Sequence, residues 1–323
     1  MNRFLRDLWS MSESDDDLFG HAEVECEPTF PLFQLWGGLD INQIVNQTAP
    51  AMPLSAEFIA AHVLAAKTGG MEHLDFDDQD VGDAGLYALV KACEAAGTLP
   101  HLGRLSLSNT SVKTEGIQAL ASMLSTSGGS PVPQLSALNV SGNSFGDSAL
   151  SAIGGAVESG NLSTLRKLYM DRTLIGDDGL ADFAAAASSR PGLLPSLYEL
   201  WLSNNHIGDW GARALCDALG RGGAMPNLGD LRLQYNRVGD ATATALVAAA
   251  AAGALRNMWY LGLNDNQFTD EGLVAIGASL SAGALPKLEF LTVQGSSASA
   301  DAAQRVQSAL TARRKRSLEE RQA

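Results

Sequence analysis

The chain has 323 residues, 46% hydrophobic and 18% charged, a balance that suits a folded protein better than a disordered one. Its net charge of −14 argues against a general nucleic-acid binder, which needs a basic face for phosphates, and against adsorption to anionic membranes. No apolar run reaches the ~18 residues of a bilayer span, and Met1 to Trp9 turns polar and acidic too soon for a signal peptide.

From the N-terminus, residues 1–29 carry Ser12-Glu-Ser14-Asp-Asp-Asp17 and Glu23-Val-Glu25-Cys-Glu27 among few apolar residues, and read as an acidic, solvated tail. Residues 30–70 read as a degenerate capping repeat. Leu39 and Ile41 sit at strand-like offsets, and Leu54 to Ala66 has the apolar spacing of a helix. From Met71 a unit of about 30 residues recurs, beginning again at Leu102, Leu135, Leu165, Leu197, Leu228, Met258 and Leu288.

Two periods coexist inside each unit. Leu197-Tyr-Glu-Leu200-Trp-Leu202 alternates like a strand, whereas Ala212, Leu215 and Leu219 recur at helical spacing. Between them lie an Asn (Asn205, Asn236, Asn266) and a Gly-Asp pair (Gly176-Asp177, Gly208-Asp209, Gly239-Asp240). The Asn suits a turn, and the Asp is placed to accept N–H bonds near a helix start. A single unit buries too little to offset its ordering entropy, so the units must stack. The expected fold is α/β: a solenoid with a parallel sheet on a concave face and helices on a convex face. Eight repeats should span residues 71–312, followed by a basic tail at 313–323 that opens with Arg313-Arg-Lys-Arg316.

The pattern LxxLxLxxNxxGDxG followed by a helix resembles the ribonuclease-inhibitor-like class of leucine-rich repeats, which also includes Ran GTPase-activating proteins, immune-receptor recognition domains and tropomodulin-like caps. That resemblance implies a horseshoe and a protein partner. It leaves open a second function, GTPase activation like that of the Ran regulators. Those regulators carry their acidic segment after the repeats, whereas here it precedes them. Ribonuclease inhibitors are rich in cysteine, whereas this chain has Cys26, Cys93 and Cys216 without CxxC or CxxH spacing, which points to a reducing, cytoplasmic compartment with a nuclear one open.

Sites for chemistry are scarce. Gly142-Asn-Ser144-Phe-Gly146 matches a nucleophile elbow but falls in the turn that other units fill with Asn205-His-Ile-Gly208. Asp75, Asp77, Asp78 and Asp80 lack the Gly and the terminal acid of a calcium loop. The five histidines have no ligand spacing. No catalytic residue, metal or cofactor is therefore expected, and the chain reads as a non-enzymatic scaffold, monomeric on its own.

Strand alternation sorts the variable positions onto the face opposite the core. There Tyr169, Trp201, Tyr260 and Phe290 fall in one register, with Arg172, Arg232 and Tyr235 beside them. Trp, Tyr and Arg dominate binding hot spots, so these residues form the expected partner-binding site.

Overall fold

The computed structural model describes residues 54–68 and 71–322. The tail at 1–29 and the strand-like part of the capping repeat lie outside the described residues. The helix expected near Leu54 to Ala66 spans Ala56–Thr68 and buries Ile59, Val63 and Ala66.

Strands and helices then alternate. β1 (His73–Asp75), β2 (Arg104–Ser106), β3 (Ala137–Asn139) and β4 (Lys167–Tyr169) are followed by β5 (Glu199–Trp201), β6 (Asp230–Arg232), β7 (Tyr260–Gly262) and β8 (Phe290–Thr292). They form one parallel sheet in sequence order, which fits a horseshoe. The register never slips: Leu74, Leu105, Leu138, Leu168, Leu200, Leu231, Leu261 and Leu291 pair rung to rung. These leucines are buried beneath the helices, while most of their strand neighbours are wholly or partly exposed on the other face.

Two side-chain ladders hold the turns. Asn205 is buried; its Oδ1 accepts from Thr173 N and Ile175 N (both 3.0 Å), and its Nδ2 donates to Met170 O (2.9 Å) and Leu202 O (3.1 Å). Asn143, Asn236 and Asn266 repeat the arrangement, each tying its turn to the preceding repeat. The Gly-Asp residues reach the other way. Asp177 makes no cap bond to its own helix (Asp177–Ser188); its Oδ1 accepts from Gly208 N (2.7 Å) and Gly211 N (2.8 Å), at the start of the next helix. Asp83, Asp209, Asp240 and Asp270 do the same for the repeats that follow them. The expected capping thus crosses from repeat to repeat. A carboxylate near a helix N-terminus is favourable, because that end carries a partial positive charge and unpaired N–H groups.

The C-terminal end differs from expectation. The last helix runs from Ala300 to Gln322, straight through the basic cluster expected to follow it. Arg313 is buried and donates to Pro286 O, the Arg314 guanidinium lies 5.5 Å from the Phe290 ring, and Gln307 Nε2 donates to Leu291 O of the edge strand (2.8 Å). This helix therefore covers the last rung, where an open strand edge would otherwise invite pairing.

Candidate functional site

On the face opposite the helices, β4 to β8 bring most of the expected site residues into one stack. The Tyr169 and Trp201 rings lie 4.1 Å apart between centroids. The Arg232 guanidinium is 3.8 Å from the Trp201 ring centroid and 4.8 Å from that of Tyr260, so it is held between two rings. Tyr260 in turn lies 6.3 Å from Phe290. The parallel register places Tyr169, Trp201 and Arg232 in one column and Tyr260 and Phe290 in the column two residues back, on rungs about 4.8 Å apart, so Arg232 meets Tyr260 on the diagonal.

Polar groups flank the stack on the same face. Asp230, 1% exposed, takes Arg232 Nε and Nη2 at 3.1 and 2.9 Å. Burial works against the Arg232 charge, but the Asp230 hydrogen bond and charge outweigh it and raise the guanidinium pKa. Tyr169 donates to Glu199, which also pairs with Lys167 at 3.0 Å. Burial, followed by that hydrogen bond, pushes the Tyr169 phenol upward. Ser203 Oγ donates to Gln234 Oε1 (2.9 Å), and Gln234 Nε2 donates to Tyr260 OH (3.1 Å). Gly262 makes room for this crossing: a Cβ there would come within 2.1 Å of Gln234 Nε2. Asp171, beside the stack, is raised by burial against the N–H and hydroxyl of Ser203.

Two expectations change. Tyr169, Trp201 and Tyr260 are half-buried, because they pack against one another and Arg232; the four aromatics share one face but two registers, and Phe290 is the exposed one, at 49%. Arg172 and Tyr235 stand apart from the stack. Both occupy the left-handed turn position after their strands, at φ 56°, a column that Asp78, Asn109, Asn204 and Asp265 also fill. Asn and Asp tolerate that backbone through local hydrogen bonds, whereas Arg and Tyr hold it at a cost of ~1–2 kcal/mol. Tyr235 is 54% exposed, and the charge of the nearby Asp265 carboxylate raises its phenol pKa.

Sequence reasoning passed over Trp259 and Tyr198, which directly precede strands β7 and β5. Trp259 lies 5.8 Å from Tyr260 and 5.9 Å from Phe290, extending the aromatic surface around the strand ends. The signal was available as a column of its own, Tyr198, Gly229, Trp259, one position before the alternation begins. The nucleophile-elbow match resolves into scaffolding: Asn143 is buried in the turn ladder, and Ser144 bridges to Lys113. Among the described residues no group of three or more His, Cys, Asp or Glu is arranged to hold a metal, and no helix is long and apolar enough to cross a membrane.

The leucine-rich-repeat family profile matches residues 134–154, 194–216 and 255–277, which are strand-to-helix stretches of three repeats. No curated protein matches the chain by sequence. Among solved structures, the plant peptide hormone receptor RGFR1 in complex with RGF2 is similar over 72% of this chain, at 15% identity and a TM-score of 0.40. The match spans 34% of that receptor chain. One unbroken register of buried leucines, a helix after each strand and the matched repeats make this chain a leucine-rich-repeat solenoid.

Proposed function

We propose that this protein is a non-enzymatic, cytoplasmic scaffold that holds a partner protein on the sheet face of β4 to β8, centred on Trp201 and Arg232. The observation that supports this most is the stack itself. Arg232 sits between Trp201 and Tyr260 with Asp230 beside it on the strand, so a large amphipathic surface is already held in place before anything binds. Preorganised aromatic and Arg side chains lose little entropy on association, which is why they carry binding energy. Trp201 Nε1–H is shielded and meets no acceptor among the described residues, a cost that folding alone does not repay. We also assign the repeats to the ribonuclease-inhibitor-like type. The period of about 30 residues and helices of 11 to 15 residues in the first seven repeats support that assignment.

The test is affinity purification from native lysate with the intact chain and with Trp201→Ala, then titration of the identified partner. Trp201→Ala should weaken binding by ~2 kcal/mol or more. Unchanged affinity would place the interface elsewhere. Acceleration of GTP hydrolysis by a panel of small GTPases would support the activator reading instead.

A further inference from the structure

A groove of about 550 Å³ runs along the N-terminal ends of β4 to β8, off the sheet face just described. Arg166, Tyr198, Asn227, Trp259, Lys287 and Glu289 are among its lining residues. Gly229 lies between two of its rings. A Cβ there would lie 2.5 Å from the Tyr198 ring and 3.0 Å from that of Trp259, so only glycine lets the two rings converge.

The amides of the groove are occupied. Asn227 donates to Pro195 O (2.8 Å), and Asn257 donates to Pro226 O (3.0 Å) and accepts from Lys287 Nζ (2.8 Å). The two rings and the charged ends remain to meet a ligand. On the sheet face Lys167 and Arg232 each hold a carboxylate, whereas Arg166 and Lys287 have none within ion-pair distance among the described residues. Arg166 and Lys287 set a cation at each end of the groove, an arrangement complementary to an acidic ligand. Glu289 stands at the Lys287 end, so the Arg166 end is the stronger anchor. The shielded Nε1–H of Trp259 also meets no acceptor among the described residues.

We propose that this groove binds an extended acidic peptide segment of a partner protein. An acidic residue meets Arg166, an apolar or aromatic residue rests on the Tyr198–Trp259 pair, and a second acidic residue approaches Lys287. Four steps between strands span roughly 19 Å, the length of about six extended residues.

Selection from a random dodecapeptide display library on the full chain tests this, followed by fluorescence-polarisation titration of the synthesised consensus peptide. The expected consensus carries Asp or Glu on either side of an apolar residue. Its affinity should fall about tenfold or more in Arg166→Glu and in Tyr198→Ala, two exposed positions, and also with added salt. Arg166→Lys and Trp201→Ala should stay within about twofold, since neither removes a groove cation or ring. A consensus without acidic residues, or one indifferent to Arg166→Glu, overturns the proposal. Loss on Trp201→Ala with Arg166→Glu silent would move the peptide to the sheet face, overturning this groove while supporting the scaffold reading. A consensus matching residues 12–27 of this chain, with tighter peptide binding once those residues are deleted, would make the chain itself the occupant and overturn assignment to a partner.

Discussion

Arg232 joins a buried carboxylate to an aromatic platform: its guanidinium pairs with Asp230 at 2.9 Å and lies 3.8 Å from the Trp201 ring centroid. Neither contact alone would hold so long a side chain at an open sheet face. Together they remove its freedom before a partner arrives.

Removing Arg232 should therefore harm stability as well as binding. Arg232→Ala leaves Asp230 buried without its cation, at an expected cost of about 1–3 kcal/mol once the partial exposure of Arg232 is allowed for. Adding Asp230→Asn should recover part of that loss, because it removes the stranded charge. Urea denaturation of both single variants and the double variant gives the coupling; strict additivity would mean that the pair is energetically inert.

Asp177→Ala should damage the repeat after its own. The carboxylate receives Gly208 N and Gly211 N, so its loss uncaps the helix Asp209–Gly222 at an expected ~0.5–2 kcal/mol. Amide hydrogen exchange should quicken at Gly208 and Gly211 more than within Asp177–Ser188. The reverse order would contradict capping across repeats.

Asn205→Leu probes the turn ladder. The substitution strands the N–H groups of Thr173 and Ile175, both served by one buried amide, while Met170 O keeps the Thr173 hydroxyl. Each buried group left unmet costs ~1–3 kcal/mol, so a total loss above ~2 kcal/mol is expected in thermal or urea unfolding. A loss below ~0.5 kcal/mol would show that water replaces the amide.

Two thiols should be silent in the native state. Burial pushes the Cys93 and Cys216 thiols up to about 12, so the reactive thiolate is scarce even in mild alkali. In a Cys26→Ser background, a chromogenic disulfide reagent should react at the rate of unfolding, with little change between about pH 7 and pH 9. Rapid stoichiometric labelling of the folded protein would refute this.

Local periodicity was enough for the fold. Alternation in Leu197 to Leu202 and helical spacing in Ala212 to Leu219 each reflect one strand and one helix, and their recurrence forces a stack. The same alternation assigned Tyr169, Trp201, Arg232, Tyr260 and Phe290 to one face, because strand geometry puts every second residue there. It could not separate Arg172 and Tyr235 from that group, since their backbone turns left-handed just beyond the strand.

What the tertiary structure alone decided are relations between residues one or two repeats apart. Asp177 reaches the next helix instead of its own, Arg232 slots between rings on neighbouring rungs, and Tyr198 and Trp259 converge over Gly229. The spacing and tilt of successive rungs govern these contacts, and that geometry arises only when the repeats pack. The amino-acid sequence by itself determined the columns of this solenoid; packing determined which members of neighbouring columns touch.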